Sequence, residues 1–125
     1  DRGHGPGFGD PMIGDGDVIQ FRRAAEAADG AHVVHTDTWV SMGQEAEKEA
    51  RRRAFEGYTV DASVMDAAAT DAIFMHCMPV YRGFEAAAEV VDGPQSVIFQ
   101  QGHNRLHAAR AALAFVLRGS QENLR

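Results

Sequence analysis

The chain has 125 residues, 45% of them hydrophobic, enough for one domain with a modest core. A formal net charge of −6 argues against a broad surface for nucleic acid or an anionic membrane. The single cysteine, Cys77, excludes an internal disulfide framework and suits a reducing cytoplasm, and no apolar run approaches the ~20 residues of a membrane helix.

Residues 1–16, DRGHGPGFGDPMIGDG, are rich in glycine and proline, carry no periodicity and read as a flexible leader. The Gly14–Gly16 stretch lacks the preceding strand and the glycine spacing of a phosphate loop. DVIQF (17–21) is a strand candidate, followed by a helical stretch that stops at Gly30. HVVHT (32–36) reads as a buried strand. QEAEKEARRRAFEG (44–57) places acids in its first turns and arginines in its last, complementing the helix dipole, with Glu47 and Arg51 four apart on a solvated face. YTV (58–60) is a minimal strand, and Ser63 with Asp66 has the spacing of a capping box. AIFMH (72–76) is the clearest buried strand, GFEAAAEVVDG (83–93) a helix closed by Gly93-Pro94, and SVIF (96–99) the last strand. A final helix starts near Asn104 with Leu106, Ala109, Leu113 and Val116 on one face.

Strands alternating with helices imply an α/β fold, a three-layer, Rossmann-like domain whose mainly parallel sheet is flanked by helices. The domain spans 17–119, between the leader and a tail at 120–125. Three polar clusters directly follow three strands: Asp37 and Ser41; His76, Cys77 and Met78; Gln100, Gln101, His103, Asn104 and Arg105. In a parallel sheet the carboxyl ends of the strands share one edge, where open α/β folds bind ligands, so the three clusters are expected to meet in one crevice.

Each cluster admits a structural and a functional reading. Asp37 and Ser41 either cap the following helix or hold an amino acid's ammonium, with main-chain N–H groups near Met42 taking its carboxylate. Cys77 is either a small apolar filler or, with the carbonyls that Pro79 leaves free, part of a site for an NH₂ group. Arg105, expected in the first turn of the last helix where the dipole disfavours a cation, is either an ion-paired surface residue or a phosphate clamp. His103 and His107 flank it and can be plain surface residues. The histidines show no metal-ligand spacing with Cys77, so no metal site is expected.

DTWVSMGQE (37–45), FMHCMPVYRG (74–83) and DGPQSVIFQQGHNRLHAARAALAFVL (92–117) closely resemble the carboxyl-terminal half of the ornithine carbamoyltransferases, whose usual motifs are D-x-W-x-S-M-G, H-C-L-P-x-x-R-G and E-N-R-L-H-A. The resemblance runs from about Val18 to Leu117 and implies the ornithine-binding domain of a transferase that carbamoylates the δ-amine of L-ornithine to give L-citrulline and phosphate. Carried over by motif, Asp37, Ser41 and the Met42 backbone would bind ornithine, Cys77 and the Met78 carbonyl the carbamoyl group and the incoming amine, and Arg105 carbamoyl phosphate. Cys77 and Arg105 are the catalytic candidates, and no metal or organic cofactor is implied. The departures are Met78 for leucine, Tyr81 for histidine and His103 for glutamate.

The family's S-x-R-T-R loop and H-P-x-Q segment, which bind carbamoyl phosphate in an amino-terminal domain, do not occur here. The chain is therefore expected to lack that domain, to be part of a cytoplasmic homotrimer when joined to it, and to have little activity alone. A non-catalytic amino-acid-binding fragment and a structural remnant are the alternative readings.

Overall fold

The computed structural model describes residues 18–41 and 43–122. In chain order the elements are α1 (Ala24–Ala28), β1 (Val33–Thr36), a 3₁₀ turn (Glu45–Glu47), α2 (Lys48–Ala54), α3 (Ala62–Ala67), β2 (Ile73–His76), α4 (Ala88–Val91) and α5 (Ile98–Glu122). β1 and β2 run parallel in the register Val33↔Ile73, Val34↔Phe74, His35↔Met75 and Thr36↔His76. On the other side of β2, Phe74 donates to the Gln95 carbonyl and accepts from Val97 N–H, a one-rung parallel bridge centred on Ser96. β2 is thus the central strand, and the expected α/β class with a parallel sheet is what forms.

The core lies around β2. Phe74 and Ile98 are completely buried, and Ala28, Val34, Val60, Val64, Met65, Ala72, Ala86, Val90 and Val91 pack about them. Along β2 the fully buried positions alternate with half-buried ones, and in β1 Val34 alone is buried, as β-branched and aromatic residues fit the pleat; α1 and α3 pack on each other.

Several elements differ from expectation. Residues 18–21 form no strand, and Val18, Ile19 and Phe21 are exposed; Asp17 lies outside the described residues. YTV reduces to a single bridge between Val60 and Ala86, because Val60 N–H bonds the Glu85 carbonyl and Ala87 N–H bonds the Val60 carbonyl. That pairing follows a turn at 83–85 and leaves Ala87 extended, so the helix expected over 83–93 shrinks to α4. It still ends at Gly93, where a Cβ would run into the Glu89 carbonyl. The cap of α3 is Asp61, not Ser63: Asp61 Oδ1 accepts from Val64 N–H at 3.1 Å, and Ser63 Oγ donates to the same oxygen at 2.6 Å. SVIF is split, with Ser96 and Val97 on the sheet and Ile98 already opening α5, whose first bond runs from Gln101 N–H to the Val97 carbonyl.

α2 carries no buried residue, as its charge pattern requires, and Arg51 Nε meets Glu47 Oε2 at 3.0 Å. Lys48 and Arg52 lie over the Phe84 ring at 5.6 and 5.1 Å, a cation–π contact that ties this polar helix to the loop after β2.

Candidate active site

The carboxyl ends of β1 and β2 deliver Asp37 and Cys77 to adjacent positions on the sheet edge. Cys77 Sγ donates to Asp37 Oδ1 at 2.8 Å, and Thr38 N–H donates to the same oxygen at 2.6 Å. The third cluster arrives on α5. Arg105 Nη1 donates to the Cys77 carbonyl at 2.6 Å. Gln101 Oε1 accepts from His76 N–H at 2.8 Å, while its Nε2 lies 3.3 Å from His35 Nε2. Residues separated by 40 and 28 positions in sequence are therefore bonded to one another through Cys77.

The route by which Arg105 arrives differs from expectation. Because α5 begins at Ile98, Arg105 sits about two turns inside the helix rather than in its first turn, so the dipole does not oppose it there. Its guanidinium reaches back across the first turns to the end of β2. One donor is held by the Cys77 carbonyl, and the fork has further N–H groups to offer.

Electrostatics sharpen the Asp37–Cys77 pair. The thiol hydrogen bond, then the Thr38 N–H, hold the Asp37 carboxyl below the usual carboxylate range. The same bond to Asp37, with burial and the nearby negative charge, pushes the Cys77 thiol up from its ordinary value. At neutral pH the site therefore presents an ionised carboxylate and a neutral thiol. Such a pair binds a cationic or NH-bearing group, whereas a thiolate nucleophile would require the opposite shift.

Behind the pair lies a buried polar anchor. His76 and Glu85 are both almost fully buried, with His76 Nε2 3.4 Å from Glu85 Oε1. His76 Nδ1 accepts Met78 N–H at 2.8 Å, which leaves the ring proton of the neutral imidazole on Nε2, facing Glu85. Glu85 Oε1 in turn accepts Tyr81 N–H at 2.6 Å. Burial holds the His76 value below the ordinary one, against the pull of Glu85. Two side chains thus fix both ends of the 78–81 loop. Met78 has φ +62°, a left-handed conformation that costs a side chain about 1 kcal/mol, and the His76 bond helps hold it; the Met78-Pro79 peptide is cis. Glu85 is the participant that sequence reasoning did not single out. Its signal is slight, one acid followed by AAA in a stretch that otherwise looks like a helix face.

The loop after β1 is braced from the side. Trp39 stacks on Phe55 with ring centroids 5.6 Å apart and planes 17° from parallel. Ser41 is exposed at the far end of the loop; its N–H donates to Gln44 Oε1 at 3.2 Å and its carbonyl accepts from Gln44 N–H at 3.1 Å. Gly43, at φ +85°, supplies the turn into the following 3₁₀ segment. Met42 lies outside the described residues. Asp37, Cys77 and Arg105 are therefore brought together directly and Met78 adjoins them, while Ser41 stands at the loop's far end. No cluster of three or more potential metal ligands occurs among the described residues.

Comparison with known proteins gives this arrangement a lineage. Residues 12–116 match the family model of the aspartate/ornithine carbamoyltransferase Asp/Orn binding domain. The ornithine carbamoyltransferase of Caldicellulosiruptor saccharolyticus is 58% identical over 94 residues, which cover 75% of this chain and 30% of that protein. Among solved structures, the anabolic ornithine carbamoyltransferase of Campylobacter jejuni superposes with a TM-score of 0.72 at 43% identity, over 77% of this chain and 32% of the other. The ornithine transcarbamoylase of Giardia lamblia gives a TM-score of 0.68 at 40% identity, over 76% and 29%. The chain thus spans about 30% of the length of the curated relatives it matches. With the matched region covering most of its sequence, the chain belongs to the aspartate/ornithine carbamoyltransferase family and corresponds to that family's Asp/Orn binding domain.

Proposed function

We propose that this chain is the acceptor-binding part of an ornithine carbamoyltransferase, which transfers the carbamoyl group of carbamoyl phosphate to the δ-amine of L-ornithine, giving L-citrulline and phosphate. The observation that carries the reading is the Asp37–Cys77–Arg105 junction, where a carboxylate, a neutral thiol and a guanidinium converge on the strand edge. Asp37 and Ser41, with the Met42 backbone, take the acceptor's α-amino acid end. Cys77 and the Met78 carbonyl face the carbamoyl group and the incoming amine. Arg105 directs its remaining donors to the phosphate.

The chemistry follows from these placements. The δ-ammonium loses a proton to solvent, and the neutral amine attacks the carbamoyl carbon; the second proton, acidic once the C–N bond has formed, passes to the departing phosphate. The carbonyl electrons move onto oxygen to form a tetrahedral intermediate, and their return expels phosphate as the C–O bond breaks. Arg105 stabilises the charge that gathers on the phosphate side, and alignment of amine and carbonyl supplies much of the rate. The Asp37 carboxylate is the nearby group suited to attract the cationic acceptor. Carbamoyl phosphate would be held mainly by a carbamoyl-phosphate domain acting with this one, in a cytoplasmic trimer. Among the described residues no helix is long and apolar enough to cross a membrane.

Calorimetric titration of the chain with L-ornithine, repeated on Asp37→Ala, tests the acceptor half of this reading. Heat that disappears in the variant is expected; heat unchanged by the substitution would place ornithine elsewhere and overturn the assignment. Addition of the family's carbamoyl-phosphate domain in trans, followed by citrulline assay, tests the catalytic half. A complex of the two that forms without turnover would favour a binding fragment.

A further inference from the structure

The motif at the start of α5 contains a pair of residues that the transfer reaction leaves unused. His103 and His107 stand one helical turn apart, both exposed, with Nε2 atoms 3.0 Å apart and ring centroids 4.8 Å apart at 73°. Two imidazole nitrogens, each about 2.0–2.1 Å from a shared ion and subtending roughly a right angle, would stand about 2.9 Å from each other. The observed spacing already matches that of two neighbouring ligands on one metal. Without a metal, one ring's N–H meets the other's nitrogen across that distance; a change of tautomer and rotation about the exposed side-chain bonds would bring both lone pairs to a common point. The backbone between them is regular helix, so no rearrangement of the chain is needed.

We propose that His103 and His107 form a two-imidazole site for a divalent transition-metal ion, with water completing the coordination. Preference follows ligand type and the general stability order, copper(II) ahead of nickel(II) and zinc(II), while magnesium and calcium, which take oxygen ligands, are poorly served by two imidazoles. The site is separate from the acceptor junction. Arg105, two residues from each histidine, projects from the other side of the helix toward Cys77. An ion bridging positions i and i+4 would nevertheless stiffen the turn that carries Arg105.

Two measurements test the proposal on the full chain. Calorimetric titration with NiCl₂ should give one equivalent of binding that weakens at least roughly tenfold in His103→Gln and in His107→Gln, because the second imidazole acts at high effective concentration. Electron paramagnetic resonance of the Cys77→Ser chain with one equivalent of CuCl₂, where no thiol can reduce the ion, should show two imidazole nitrogens, reduced to one in either histidine variant. Both histidines are exposed and glutamine is a good helix former, so the variants should keep the wild-type circular dichroism. Absence of nickel binding, or copper and nickel binding that survives both substitutions, would overturn the site.

Discussion

Asp37 and Cys77 push each other's ionisation in opposite directions across a 2.8 Å hydrogen bond, and that opposition can be measured. Asp37→Asn keeps an acceptor oxygen but removes the charge, so the thiol should fall back toward its ordinary range. Alkylation of Cys77 by iodoacetamide at about pH 8 should then speed up several-fold, because the thiolate is the reacting form. A slower or unchanged rate would show that the two side chains are not bonded in solution. His76 supplies a second residue-scale test. Its folded value lies below the ordinary 6.5, so the unfolded chain binds the proton first and stability rises with pH across that window. The stabilising contribution is present above about pH 6.5 and lost as pH falls toward the folded value. Urea midpoints between about pH 7.5 and about pH 5 should drop more steeply in the wild type than in His76→Gln; parallel slopes would remove His76 as the cause. The meeting of Asp37 and Cys77 was legible in sequence because each directly follows a strand of one parallel sheet, whose carboxyl ends share an edge. Glu85 was not, since its burial depends on His76, a partner nine residues back whose own burial no local pattern reveals.

The elements show where local patterns prevail and where tertiary contacts override them. β1 and β2 are placed correctly from short β-branched and aromatic runs, but β1 is not the buried strand expected: only Val34 is buried, and Val33 and His35 are exposed. SVIF has the same composition, yet Ile98 turns into α5, since a short apolar run does not distinguish a strand from a buried helix start. That shift moves Gln101 from a strand-end loop into the helix and Arg105 from the helix's first turn to about two turns inside it, without altering the edge they reach. The helix over 83–93 yields to the Val60–Ala86 bridge, a pairing set by residues 26 apart. At α3 the misreading is local: Ser63 has a suitable acid three residues later, but Asp61 receives the capping bond and Ser63 only supports it. Asp61→Ala should therefore cost about 1 kcal/mol in urea unfolding, a typical capping loss, and Ser63→Ala clearly less. The reverse order would restore Ser63 as the cap.

At the scale of the molecule, stability is concentrated around β2 and leaves most of α5 outside it. Phe74 has no exposed surface, whereas Leu113, Leu117 and Phe115 are 64%, 66% and 82% exposed. Phe74→Ala should accordingly cost about 3–5 kcal/mol, the usual range for emptying a buried aromatic site. Leu113→Lys and Leu117→Lys should each change stability by no more than about 0.5 kcal/mol, as expected for surface positions on a helix. The comparison matters because exposed Leu106, Leu113 and Val116 keep the spacing of an apolar face, and such faces on helices commonly pack against something. Urea unfolding of the three variants at low protein concentration, repeated at a tenfold higher concentration, separates the two situations. Small and concentration-independent effects for the lysine variants mean that the fold is held by β2 and its neighbours alone. A loss above about 1 kcal/mol that grows with concentration means that α5 is covered by a second copy, because only association makes stability depend on protein concentration.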